Sequence, residues 1–161
     1  MRARWIRLGA AEPPQFEAAT ARLAAAQSRL SAPILLWGEA AAHYPFALIA
    51  PLRLAPGRRA RWSAWGLAPA VATYRQFRLP AYLNEGELWL HGRRIGVASA
   101  APLGECVVIA SSFMMKFPGS CAATPSAELE QAFRLRLEAQ HGWQFDHSWP
   151  SRPEALRYAL A

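Results

Sequence analysis

Cys121 sits in KFPGSCAATP, between an apolar stretch and a run with helical periodicity. A thiol close to a helix N-terminus is held toward its thiolate, the form that attacks a carbonyl. The bland alternative is an ordinary loop thiol. A second candidate lies in GELWLHGRRIGVASA (86–100), which reads as a strand, a tight turn, and a strand starting on Arg93 and Arg94. An arginine there can pair with a carboxylate or phosphate, but it gives up no proton near neutral pH. Its alternative is a plain surface cation. His141, Asp146 and His147 in HGWQFDHSW match no metal-ligand spacing, and Gly142 breaks the helix that would align them, so no metal is expected. His43 and His91 are isolated and read as hydrogen-bonded turn residues. Cys106 opens an apolar strand and reads as core, as do Met114 and Met115. The sequence has no CxxC, no P-loop, no GxGxxG and no nucleophile elbow.

The elements that would hold these residues follow from periodicity. In QFEAATARLAAAQSRL, Phe16, Ala19, Leu23, Ala26 and Leu30 recur at helical spacing, with Arg22 and Arg29 off that stripe. ILLW (34–37) reads as a short buried strand. FALIAPLRL (46–54) reads as another, with Pro51 marking an edge or a bulge. Trp62, Trp65 and Val71 suit a helix that Gly66 and Pro69 would cut into pieces. Asn84 and Gly86 signal a turn before ELWLH, and His91-Gly92 closes a hairpin onto RRIGVASA. CVVIA within 104–117 is apolar on both faces, as a central strand requires. Thr124 is the expected N-cap of a last helix with Pro125 at its first position, and Leu129, Phe133 and Leu137 form one apolar face. The tail after Gly142, with Trp143 and Trp149, is expected to cover the sheet. Helix, strands, then helix is an α+β order, a single domain over 1–161 with a mixed or antiparallel sheet packed against helices.

Composition narrows the classes. A chain of 161 residues that is 53% hydrophobic, with seven tryptophans and seven phenylalanines, builds a core and is not disordered. No apolar run is long enough to span a membrane, and the N-terminus lacks the apolar region of a leader before Glu12, so a cytoplasmic location is expected. The net charge is +7, yet Lys116 is the only lysine. Arginine beside abundant alanine is what a GC-rich genome writes wherever a cation is tolerated. Charge, with GRRARW beside Trp62 and Trp65, is therefore a poor argument for nucleic acid.

From about Phe46 to Trp143 the chain resembles the catalytic domain of the biotin/lipoate protein ligase family. The matching pieces are FRLPAYLNEGELWLHGRRIGVASA and GECVVIASSFMM, with Gly92, Arg93, Arg94, Ile95 and Gly96 on the turn and the strand after it. Glu87 stands near the family's aspartate, and Arg94 at its lysine. The resemblance implies the family's fold, and as partners a biotin-like or acyl small acid or the carrier domain that bears one. Those ligases adenylate the acid with ATP over a loop rich in glycine and arginine. Here the equivalent stretch, GEAAAHYP, has one glycine, no arginine and Glu39, while Phe113 and Met114 stand where an asparagine belongs. No nucleotide cofactor is expected. The sibling lipoyl/octanoyl transferases need no ATP, and by that likeness Cys121 would hold the acyl group, Arg94 would assist, and Arg93, Glu87, His91 and Gly96 would border the substrate. The competing expectation is a non-catalytic relative that keeps the sheet as a platform for a ligand or protein.

Overall fold

The computed structural model describes residues 1–27 and 32–146. Leu30, Arg29, His147 and Trp149, all invoked above, lie outside them. β1 (Arg2–Ala10) leads into α1 (Pro13–Gln27), β2 (Ile34–Glu39) and β3 (His43–Pro51). After α2 (Trp62–Gln76) come β4 (Tyr82–Asn84), β5 (Glu87–Leu90), β6 (Arg93–Gly96), β7 (Ser99–Leu103) and β8 (Cys106–Met114). α3 (Ser126–His141) and β9 (Gln144–Asp146) follow.

Among the described residues, six strands form a mixed sheet in the order β7-β8-β3-β2-β1-β9. β1 runs parallel to β2 and β9, and the remaining pairs are antiparallel. The parallel pair is a consequence of α1, which carries the chain back across the sheet before β2 begins. Alternation along β8 then divides the core. Val107, Ile109 and Phe113 pack with the residues of α2 and α3, whereas Cys106, Val108 and Ala110 join Phe16, Ala19 and Leu23 of α1. Phe46, Phe113 and Phe133 meet edge-on or tilted at 4.8–5.3 Å between centroids in the first of these layers. Apolar rings at such spacings add to simple area burial. β4-β5-β6 form a separate small sheet, whose Leu83, Leu88 and Ile95 pack on the same core. The result is one α+β domain with a mixed sheet between helices, as the element order implies.

Several local expectations are corrected. β1 is a strand that simple alternation does not reveal, because both its faces are covered: Trp5 and Ile6 are adjacent and both buried. Pro51 is at neither an edge nor a bulge; it closes β3 opposite Cys106, and Leu52–Leu54 turns away as a 3-10 segment. α2 is continuous through Gly66 and Pro69. Gly66 is required there, since a Cβ would sit 2.4 Å from Ile109 Cδ1. Pro69 leaves the Trp65 carbonyl without its helical donor, and Gln140 Nε2 on α3 supplies one at 3.2 Å. α3 begins at Ser126 behind Pro125 with no side-chain cap. Thr124 is used otherwise: its N–H bonds the Met115 carbonyl and its carbonyl accepts from Tyr44 Oη, each at 2.8 Å.

Candidate functional site

A cleft of about 320 Å³ opens on the α1 side of the sheet. Its walls come from four places: the start of α1 (Pro13, Phe16, Glu17), the β2–β3 hairpin (Ala40, His43, Pro45), the β6–β7 link (Val97, Ala98, Ser99) and β8 (Ala110, Ser111, Ser112). The cleft exists because the chain leaves the small sheet at Gly96 and enters the large one at Ser99, bridging a gap beside α1. Gly96 makes that crossing possible. A Cβ there would meet the Ser112 carbonyl at 3.1 Å and Ser111 Oγ at 3.2 Å, so a side chain would push β6 a few tenths of an ångström off β8. The lining is mainly apolar. Ser111 borders it but is 8% exposed, and its Oγ, without a hydrogen-bond partner among the described residues, is sealed beside Gly96 on the side of β8 that carries Val107 and Ile109. Glu17 and His43 are exposed at the mouth. An adjoining hollow, sharing Ala11 and Ala40, adds Glu12 and Glu39.

The residues singled out from the sequence are distributed around this cleft rather than gathered in it. Gly96 abuts the cleft wall. Arg94 is opposite Trp89 on the hairpin, and its guanidinium reaches Glu87 at 3.4 Å with both groups partly in water. The structure thus joins Arg94 to Glu87, a pairing the sequence reading did not draw. Arg93 is exposed. His91 occupies the first central position of a two-residue turn with φ 48°, followed by Gly92 at φ 72°. Two positive φ values in succession define the type I′ geometry that matches strand twist. Cys121 is exposed in the loop between β8 and α3. That loop is tied at Thr124 to both Met115 and Tyr44, and by Ser120 N–H to the Phe117 carbonyl at 3.1 Å. No hydrogen bond or ion pair joins Cys121 to Arg94 among the described residues. Cys106 is buried, its Sγ facing the Ala24 carbonyl at 3.8 Å, and burial first, then Glu105, pushes its thiol pKa up.

Phe113 and Met114, at the position expected to meet a nucleotide, serve the core instead. Phe113 is fully buried among Trp37, Tyr74 and Phe133, and the Met114 N–H donates to Tyr74 Oη at 2.9 Å. That hydroxyl, buried, has its pKa pushed up to about 12. The phosphate-loop position is a three-residue turn, Ala40–Ala42, closed by the Ala40 N–H on the His43 carbonyl at 2.9 Å. Among the described residues no three histidine, cysteine or acidic side chains converge as a metal site would require, and no helix is long and apolar enough to cross a membrane. The sequence reading missed Glu17, Ser111 and the β6–β7 link. The available signal was the serine pair interrupting an otherwise apolar strand.

No protein-family model and no curated sequence matches this chain. Solved structures do. A bipartite lipoate protein ligase from Thermoplasma acidophilum, from a study of archaeal lipoylation with its E2 lipoyl domain, superposes with a TM-score of 0.76 at 10% identity, covering 99% of this chain and 91% of that one. A biotin acetyl coenzyme A carboxylase synthetase from Helicobacter pylori, bound to biotinylated ATP, gives 0.61 at 12% identity over 86% and 75%. The biotin protein ligase from Aquifex aeolicus gives 0.60 at 10% identity over 88% and 70%. The fold is therefore that of the catalytic domain of the lipoate and biotin protein ligases. Within that class, the chain lies nearly end to end on the archaeal lipoate ligase, and less completely on the two biotin enzymes.

Proposed function

We propose that this protein binds an acyl or biotin-like group, free or on its carrier domain, in the cleft between α1 and β8, and that it does so without adenylating it. The observation that carries this reading is the placement of an apolar cleft directly behind Gly96, at the end of the hairpin that resembles the ligases. Its size falls near the lower end of small-molecule pockets, about 300–1,000 Å³. Three alanines in the β2–β3 turn and the carboxylates beside them offer a triphosphate neither backbone cradle nor cation.

Titration calorimetry with octanoyl, hexanoyl and butanoyl ligands, each offered as acid and as amide, tests the reading. Each methylene that enters the cleft is worth about 0.8 kcal/mol, or about fourfold in affinity. Ala110→Leu, which fills the wall, should abolish that dependence while the protein stays folded. No heat from any ligand, or affinity independent of chain length, would reject an acyl site.

A second reading, acyl transfer through Cys121 with Arg94 assisting, is favoured by one observation. The Cys121 thiol is exposed in a loop tied to Tyr44, the neighbour of cleft residue His43. In that step the thiolate would attack a thioester carbonyl, release the donor thiol, and hold the acyl group as a new thioester. Intact-mass spectrometry after incubation with an octanoyl thioester should show the octanoyl increment, absent in Cys121→Ser. A bare mass leaves binding as the function.

A further inference from the structure

α2 ends in a backbone arrangement that normally calls for glycine. The Leu79 N–H donates to the Tyr74 carbonyl and the Arg78 N–H to the Arg75 carbonyl, each at 3.0 Å, which closes the last turn with Arg78 one place beyond the C-cap Phe77. That place is left-handed, and glycine is favoured there because a Cβ strains it. At the end of α3 the left-handed residue is indeed a glycine, Gly142 at φ 67°. α2 instead holds Arg78 at φ 63°. Strain kept in this way points to a use for the side chain that causes it.

Arg78 and Arg75 line one hollow of about 350 Å³, completed by Leu79 and Pro80. Arg75 is anchored: its Nε donates to the Ala81 carbonyl at 3.1 Å, and the two terminal nitrogens of its fork have no partner among the described residues. Neither arginine makes an ion pair among those residues, and no aspartate or glutamate occurs in the chain between Glu39 and Glu85. Arg136 of α3 adds a third cation at this end of α2. Its Nε and Nη2 donate to Gln76 Oε1 at 3.3 and 3.1 Å, a neutral acceptor that leaves its charge uncompensated. A helix C-terminus attracts a cation, but a second like charge on the same hollow repels the first. An oxyanion in the hollow relieves that repulsion, and planar guanidinium forks offer it paired donors. A phosphate suits them better than a carboxylate, because it has three strong acceptor oxygens and nearly two charges near neutral pH.

We propose that Arg75 and Arg78 form a phosphate-binding clamp at the C-terminal end of α2, which takes inorganic phosphate or the phosphate of a small monoester. The clamp is on the α2–α3 side of the sheet, opposite α1 and the cleft, so it stands independently of the acyl-binding reading.

Calorimetric titration of the full chain at fixed ionic strength, with inorganic phosphate, glycerol 3-phosphate and acetate in turn, tests the clamp. Both phosphates should bind at least about tenfold tighter than acetate, and Arg75→Gln and Arg78→Gly should each weaken them at least about tenfold. In phosphate-free buffer Arg78→Gly should also raise the midpoint of thermal unfolding, since the strain leaves with the side chain; that rise shows the variant to be folded. Tighter binding of glycerol 3-phosphate than of inorganic phosphate would identify a monoester as the ligand, and equal or weaker binding the free ion; both support the proposal. Acetate binding as tightly as phosphate, no heat from either phosphate, or unchanged phosphate affinity in Arg78→Gly would overturn it, leaving Arg78 as a residue of the helix end alone.

Discussion

Glu130 shows how much one side chain organises. It is 7% exposed, and its carboxylate accepts from Trp5 Nε1 at 2.9 Å, Arg7 Nε at 2.7 Å and Ser126 Oγ at 3.2 Å, while Trp37 Nε1 in turn donates to that serine. The network fastens the first turn of α3 to β1 and β2. Removing the carboxylate strands the Trp5 indole donor and leaves the Ser126 hydroxyl without its acceptor, so Glu130→Ala should cost about 3 kcal/mol in urea unfolding. Arg7, whose side chain is 61% exposed, should cost no more than about 1 kcal/mol as Arg7→Ala. His141 makes a pH-dependent claim. Its ring stacks on Trp143 at 4.3 Å and meets Trp65 edge-on at 4.9 Å, and burial pulls its pKa from 6.5 down to about 4. The unfolded chain then binds a proton before the folded one does. Stability is complete above pH 6.5 and falls as pH drops toward about 4, levelling below it. His141→Phe should remove that component from the difference between unfolding curves at pH 7 and pH 4.5.

At the scale of elements, α2 and α3 are coupled through a hydrogen bond that proline made necessary. Gln140→Ala should cost about 0.5–1 kcal/mol, the net worth of a partly solvated hydrogen bond to the Trp65 carbonyl. In a Pro69→Ala background it should cost almost nothing, since the alanine introduced there donates its own N–H. A double-mutant cycle on thermal unfolding reads the difference as coupling. This pair also shows where sequence reasoning ended. The stripe Phe16, Ala19, Leu23, the face Leu129, Phe133, Leu137 and the His91-Gly92 hairpin were legible because each rests on local period or turn chemistry. The unbroken α2 was not, because its buried face, Leu67, Ala70 and Tyr74, packs against Ile109 of β8 and Phe133 of α3, both distant in sequence. The cleft was harder still: Glu17, His43, Val97 and Ser111 come from four separate elements, and only the tertiary fold brings them together. What the sequence did carry was the hairpin's likeness to the ligases, because Gly92 and Gly96 are backbone requirements rather than chemical ones.

For the whole molecule, charge and site act on different steps. A body of net charge +7 attracts an acidic macromolecule over a Debye length, before any contact with the cleft is made. Association of an acidic carrier domain should therefore slow about tenfold between 20 mM and 300 mM salt in stopped-flow measurements, with a much smaller change in the dissociation rate. A rate indifferent to salt would show that the arginines take no part in the encounter.

The two cysteines give the folded chain a built-in clock. Cys121 is exposed, while Cys106 is sealed beneath α1. A chromogenic disulfide reagent should label the first thiol at once and the second only when α1 lifts from the sheet, so the slow phase times that opening. If an occupant of the cleft holds Phe16 and Glu17 in place, it should lengthen the slow phase and leave the fast one unchanged.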